Sequence, residues 1–121
     1  MTGEHGLGPY QVAIVEQGNL VGSVGLQLRK HETGYVGYWC AAEARGQGTT
    51  TRAVRLVCGY ALDELGLERL ELTTDAENYA SQRVAEKVGF RREGVLRSHL
   101  RMPHGLRRDS ALYSLLPGEL R

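Results

Sequence analysis

The apolar residues in the first third of the chain fall in short runs that are separated by turn residues. Residues 10–15 and 20–29 form two such runs, and Gln17-Gly18-Asn19 between them is typical of a hairpin turn. Glu32-Thr33-Gly34 marks a second turn, after which residues 35–40 are rich in aromatic side chains that favour strands. The pattern predicts three strands in meander order, and therefore an antiparallel start to a sheet.

In the middle of the chain the apolar residues recur at three- and four-residue spacing, which indicates two amphipathic helices. The first covers residues 50–65 and ends before Gly66, which suits the left-handed position after a helix. The second covers residues 79–88, with Asn78 as its N-cap and Gly89 as its stop. The apolar face predicted for the first helix consists of Ala53, Leu56, Val57, Tyr60, Ala61 and Leu65, opposite Arg52, Arg55, Gly59 and Asp63.

Three further strands complete the predicted order of elements. Residues 69–74 form one between the helices, and residues 94–102 and 107–116 form a long hairpin whose tip is Pro103-His104-Gly105. The order βββ-α-β-α-ββ combines a mostly antiparallel, mixed sheet with two crossover helices, so the predicted class is α+β. No repeat or linker divides the sequence, and we expect a single domain over residues 1–121.

Length, charge and composition exclude several classes of function. The 121 residues suffice for one modest core, and a net charge of +1 gives no reason to expect a nucleic-acid partner. No apolar stretch approaches the roughly 20 residues that cross a bilayer, and the N-terminus does not resemble a signal peptide, so no membrane partner is expected. Cys40 and Cys58 fit a reduced, cytoplasmic protein, and the histidines are not spaced to bind zinc or another metal with them.

The clearest chemical signal is Ala44-Arg45-Gly46-Gln47-Gly48-Thr49-Thr50-Thr51, between the third strand and the first helix. Glycines at such a turn let the backbone bend sharply and approach a ligand closely. The free N–H groups and positive dipole end of the helix that follows favour a phosphate. The segment lacks the Gly-Lys-Ser/Thr ending of nucleotide hydrolases. It therefore predicts the binding of a cofactor that carries a pyrophosphate.

Three segments together resemble the GNAT N-acetyltransferase superfamily. Residues 45–50 resemble its phosphate loop, Gln/Arg-x-x-Gly-x-Gly/Ala, and depart from it at Thr50. Residues 78–90 resemble its Asn-x-x-Ser-x-x-x-x-x-Lys-x-Gly-Phe segment, and residues 93–116 resemble the C-terminal hairpin of ribosomal-protein-type (Rim-type) members. The likeness covers nearly the whole chain from Tyr10. Family members usually begin with a further strand and two helices, whereas nine residues precede Tyr10, so the chain resembles a member that is short at its N-terminus.

The resemblance implies an acetyltransferase that moves acetyl from acetyl-CoA to a primary amine by direct attack. It implies a proton donor for the leaving thiolate at Ser81, with Tyr79 as the second candidate. An N–H group near Cys40 or Ala41 is the candidate donor to the oxyanion. The residues implied in cofactor binding are Trp39, Cys40, Ala41, Arg45, Gly46, Gln47, Gly48, Thr49, Thr50, Asn78, Ser81 and Lys87.

Several alternatives stay open at this point. The acceptor is a protein N-terminus or a small-molecule amine, and the general base is not evident. A module that binds CoA without catalysis is the alternative function, because the elements that commonly line the family's acceptor pocket are not evident. Cys40 is either a nucleophile or a packed thiol, and neighbouring Tyr38 and Trp39 divide between core and pocket. A homodimer is expected if the exposed edge of the first strand is covered.

Overall fold

The computed structural model describes residues 10–41 and 48–121, which form a six-stranded sheet and two helices. This confirms the α+β class and the predicted order of elements, and the bounds of the elements lie close to the predicted ones. The elements are β1 (Tyr10–Glu16), β2 (Asn19–Arg29), β3 (Thr33–Cys40), α1 (Thr49–Asp63), β4 (Arg69–Asp75), α2 (Tyr79–Val88), β5 (Arg91–Arg101) and β6 (Arg107–Leu115).

The sheet has the strand order β1-β2-β3-β4-β6-β5 and is antiparallel except between β3 and β4. Helix α1 connects this parallel pair, and α2 connects β4 to β5 across β6. Because both crossovers run in the same direction and such connections are right-handed, both helices lie on one face of the sheet. The two helices also contact each other there.

The parallel pair separates soon after it begins. Strands β3 and β4 are in register only from Thr33↔Arg69 to Tyr35↔Glu71. Beyond that point β3 stays paired with β2 as far as Cys40, and β4 stays paired with β6 as far as Asp75. The two halves of the sheet therefore diverge and leave a gap between β3 and β4. Since β3 leads to α1 and β4 leads to α2, this gap opens at the end of the sheet where both helices begin.

The packed face of helix α1 agrees only in part with the predicted one: Val57 and Ala61 are buried, and Ala53 and Leu65 pack against the core. Leu56 is 65% exposed and Tyr60 is 45% exposed, although both were assigned to the apolar face. Helix α1 carries two apolar stripes, and these two residues belong to the one that does not face the core. Tyr60 packs at the surface instead, where its ring lies 5.9 Å from that of Tyr10. The residues of α1 that are buried are Thr51, Val54, Val57, Cys58 and Ala61.

The buried stripe of α1 covers alternate residues of the central strands. Cys58 is a packing residue, and burial raises the pKa of its thiol to about 12. Cys40 and Cys58 do not form a disulfide with each other. Among the residues that the structure describes, no helix has the length and apolar character needed to cross a membrane. The strand residues that are fully or almost fully buried include Val24, Leu26, Val36, Leu70, Leu72, Tyr113 and Leu115.

Candidate functional site

The N-terminus of α1 forms one end of the candidate site. Gly48 is its N-cap and has a φ of 76°, a left-handed conformation that glycine adopts without strain. Among the residues that the structure describes, no side chain caps the helix, and its first N–H groups have no partner within the helix itself. Predicted site residues Arg45, Gly46 and Gln47 lie outside the described residues. The described part of the loop thus presents the donor groups that an anion requires.

Two charged side chains that the sequence analysis did not select flank this helix end. The guanidinium of Arg52 donates to Thr49 Oγ1 at 3.4 Å, and its Nη1 atom would lie 3.2 Å from a Cβ atom added at Gly48. The Thr49 hydroxyl in turn donates to Glu16 Oε2 at 2.8 Å. The position of Arg52 one helical turn after Gly48 was a signal that could have identified it. Nothing in the sequence could have placed Glu16 there.

Strand β3 forms one wall of the gap, where it has left β4. Tyr38 faces the helices and packs against the core, as one of the two was predicted to do, whereas neighbouring Trp39 is on the opposite face and 48% exposed. The role of Trp39 as a pocket residue stays a prediction. Ala41 N–H donates to Val21 O at 2.7 Å. The proposal of Ala41 as oxyanion donor is therefore wrong, because β2 already uses its N–H group. Successive N–H groups of a strand alternate in direction, so that of Cys40 faces the β4 side.

The thiol of Cys40 lies in a partly buried position against its own chain. Its Sγ atom donates to Ala41 O at 3.5 Å, and the residue packs against the edge of the hydrophobic core. These contacts favour the interpretation of Cys40 as a packed thiol over that of a nucleophile.

The N-terminus of α2 forms the other wall of the gap. Asn78 Oδ1 accepts the N–H of Ser81 at 3.1 Å, which confirms Asn78 as the N-cap. The Ser81 hydroxyl donates to Tyr38 Oη at 3.2 Å, and the Tyr38 hydroxyl donates to Ser81 O at 2.8 Å. Tyr79 is 64% exposed. Lys87 lies in the last turn of α2, so the structure does not bring it to the end where Asn78 and Ser81 meet.

Gln82 fixes the turn between β4 and α2 and was missed by the sequence analysis. Its Nε2 atom donates to the backbone oxygens of Asp75 and Ala76 at 3.3 and 3.0 Å. Its Oε1 atom accepts from Tyr113 Oη at 3.3 Å and from Arg92 at 3.4 Å. A buried amide with both ends bonded holds the end of β4, and hence the mouth of the gap, in place.

Six arginines form a cluster in the C-terminal part of the sequence, and some of them have structural partners; they are Arg91, Arg92, Arg97, Arg101, Arg107 and Arg108. Arg108 Nε donates to Ser110 Oγ at 3.0 Å, and His99 Nδ1 lies 2.9 Å from the same buried oxygen. Burial, followed by the charges of Arg108 and Arg107, lowers the pKa of His99 below its ordinary value. The Ser110 cluster adjoins the end of β4, because Ser110 pairs with Asp75. These contacts explain part of the cluster by the construction of the hairpin.

Comparison with known proteins identifies the family. Residues 2–91 match the family model that is described as an acetyltransferase (GNAT) domain. The chain belongs to the GNAT family. It is 38% identical to the probable N-acetyltransferase YjcK of Bacillus subtilis over 85 aligned residues. The alignment covers 70% of this chain and 46% of YjcK. It is 35% identical to the putative ribosomal N-acetyltransferase YdaF of the same organism over 114 aligned residues. This alignment covers 90% of this chain and 60% of YdaF.

The solved structures agree with this GNAT assignment. Mycobacterium smegmatis RimJ in complex with CoA-disulfide has a TM-score of 0.76 and 30% sequence identity, over 91% of this chain and 55% of RimJ. The Rim-type resemblance is therefore confirmed at the level of the family and of its named relatives. The chain spans between 46% and 60% of the length of the two curated relatives.

Proposed function

We propose that this GNAT chain binds acetyl-CoA in the gap between β3 and β4 and transfers the acetyl group to a primary amine. The observation that carries this proposal is the separation of β3 from β4 after Tyr35↔Glu71, at the end of the sheet where both helices begin. A long, thin cosubstrate with an anionic end matches a site that combines an exposed strand edge with a helix N-terminus.

The parts of acetyl-CoA match different parts of this site. The N–H groups of Gly48, Thr49 and Thr50 would bind the diphosphate, with Arg52 as an added cation beside them. The pantetheine arm would follow β3 along Trp39 and Cys40, past the point where β4 has left it. This arrangement brings the thioester to the end of β3, between the N–H of Cys40 and the first turn of α2.

Direct attack needs few groups from the protein. The amine nitrogen bonds to the thioester carbon, the carbon–sulfur bond breaks, and the sulfur leaves with its electron pair, while the nitrogen loses one proton to solvent or to the sulfur. The oxyanion formed on the way would accept from the N–H of Cys40. An α-amino group has a pKa of about 7.7–8.0, so a useful fraction is neutral near pH 8 without a dedicated base. The name of one relative, the putative ribosomal N-acetyltransferase YdaF, supports a protein as the acceptor, and we propose its N-terminus as the amine.

Two measurements on the purified chain test the proposal. Calorimetry with CoA and acetyl-CoA is expected to detect one site each, and thiol release from acetyl-CoA is expected to rise with unblocked peptides and not with the same peptides acetylated at the N-terminus. Absence of binding contradicts the site. Binding of both ligands with only background thiol release, across peptides and small amines, contradicts the enzyme and supports a module that holds CoA without turnover.

Replacing Glu16 with glutamine is expected to tighten CoA binding by about three- to tenfold, because a carboxylate near the N-terminus of α1 opposes a bound anion. Glutamine keeps an oxygen that accepts the Thr49 hydroxyl. Calorimetry at low and high salt measures the effect, which is expected to shrink as salt increases. The matched control is Glu77→Gln, which removes an exposed carboxylate outside this helix end. An equal gain in both variants would show that only net charge matters.

A further inference from the structure

We propose that Tyr38 and Ser81 form a two-hydroxyl relay that stabilises the leaving thiolate of CoA by hydrogen bonding, without either hydroxyl losing its proton. Ser81 would contact the sulfur, and Tyr38 would be a positioning residue that acts through Ser81. This inference rests on the proposed function and changes the role of Ser81 from a proton source to a hydrogen-bond donor.

The position of the two hydroxyls follows from the gap. Tyr38 lies three residues beyond Tyr35, the last residue of β3 that pairs with β4, and its side chain is on the face that carries the helices. Its Oη atom reaches the first turn of α2, 2.8 Å from Ser81 O and 3.2 Å from Ser81 Oγ. The pair therefore connects the two walls of the gap at the place where the thioester is proposed to lie.

The direction of each hydrogen bond follows from the atoms involved. A carbonyl oxygen only accepts, so the single proton of Tyr38 points at Ser81 O. Ser81 Oγ must then be the donor in its contact with Tyr38 Oη. When negative charge forms on a nearby sulfur, rotation of both hydroxyls produces the chain Tyr38 O–H to Ser81 Oγ and Ser81 O–H to sulfur. Ser81 O still accepts the N–H four residues later in α2, so no buried acceptor is left unpaired.

Neither hydroxyl is suited to give up its proton. Burial raises the pKa of Tyr38 well above its ordinary value, by more than the hydrogen bond from Ser81 lowers it. If Ser81 protonated the sulfur and took a proton from Tyr38 in return, the negative charge would rest on the Tyr38 phenolate, which burial disfavours. In the balanced step, the amine nitrogen bonds to carbon, the electron pair of the carbon–sulfur bond goes to sulfur, and the proton of the attacking amine leaves to solvent or to sulfur. Aligned hydroxyls strengthen one another as donors to an anion.

The kinetic test uses Tyr38→Phe, Ser81→Ala and the double variant. Ser81→Ala is expected to lower kcat about 100-fold, and Tyr38→Phe about 10-fold, with little change in KM for acetyl-CoA. The double variant is expected to match Ser81→Ala, because Tyr38 acts only through Ser81. The pH dependence of kcat is expected to keep the same limbs in Tyr38→Phe. A further loss in the double variant, or a shifted alkaline limb in Tyr38→Phe, would overturn the relay.

Tyr35→Phe is the matched control. This substitution removes a hydroxyl from the same strand. In the unaltered chain the Oη atom of Tyr35 is 2.7 Å from Thr73 Oγ1, on the other face of the sheet. Its kcat is expected to stay within twofold of the unaltered chain. A loss of kcat equal to that of Tyr38→Phe would show a general effect of the strand and would overturn the specific role of Tyr38.

A second readout separates this inference from the proposed function, because it needs no turnover. The ultraviolet absorbance of the thiolate follows ionisation of bound CoA during a pH titration. With the relay intact, bound CoA is expected to be half ionised at a pH about one unit lower than in Tyr38→Phe or Ser81→Ala. If CoA ionises alike in all three, the relay is wrong even when acetyl transfer occurs. If the expected difference is seen but no amine is acetylated, the relay stands and the proposed enzyme does not.

Discussion

Replacing Gly89 with alanine is expected to lower the free energy of unfolding by about 3 kcal/mol or more. Gly89 follows α2 with a φ of 115°, which an L side chain rarely adopts. A Cβ atom there would collide with the backbone oxygen of Glu119, and it would lie 3.3 Å from the backbone nitrogen of Arg121. These atoms move only if the backbone moves, and Arg121 N–H is bonded to Val88 O at 2.9 Å. The free-energy cost of the strained φ and the cost of the collision therefore add.

Urea unfolding followed by circular dichroism measures the effect, with Gly66→Ala as the matched control. Gly66 also has a left-handed conformation after a helix, with a φ of 67°, but no atom lies within 4 Å of an added Cβ. Its substitution is expected to cost about 1–2 kcal/mol, the conformational part alone. Equal losses in the two variants would show that the contact between Gly89 and the end of the chain does not constrain the fold.

Local signals in the sequence were sufficient to predict most of the fold. Gly66 and Gly89 mark helix ends because their conformations favour glycine, and Asn78 is an N-cap because its side chain bonds within four residues. These features depend on neighbours in the chain. The packed face of α1 depends on the sheet, and the helix carries two apolar stripes that the sequence alone does not rank. This is why Leu56 and Tyr60 were assigned to the wrong side.

In the candidate site, too, the sequence predicted local features but not contacts between distant elements. Its glycine loop and the first turn of α2 were found from motifs, although part of the loop lies outside the described residues. The separation of β3 from β4 was not predicted, because a sequence pattern indicates a strand without giving the length over which two strands pair. Contacts between distant residues were also missed, among them Glu16 with Thr49 and Tyr38 with Ser81. They arise only when the crossovers bring these elements together.

Replacing Gly48 with alanine is expected to weaken CoA binding by about 10- to 100-fold while the chain stays folded. The left-handed φ of Gly48 directs the N–H groups at the start of α1, and alanine would favour a different conformation there. The loss of stability is expected to be about 1–2 kcal/mol, the same conformational cost as at Gly66, because the nearest atom to an added Cβ is Arg52 Nη1 at 3.2 Å, the far end of a flexible side chain. Calorimetry with CoA measures the loss.

The control for this prediction isolates the phosphate site from backbone strain. Gly66→Ala introduces the same kind of strain after α1, at the opposite end of the helix from Gly48, and is expected to leave the affinity for CoA unchanged. The loss in Gly48→Ala is also expected to shrink at high salt, where the charge of the diphosphate contributes less in either protein. Equal affinity in Gly48→Ala and the unaltered chain would mean that CoA binds without the N-terminus of α1. Because the proposed site uses that helix end to bind the diphosphate, such a result would move the proposed site away from the gap.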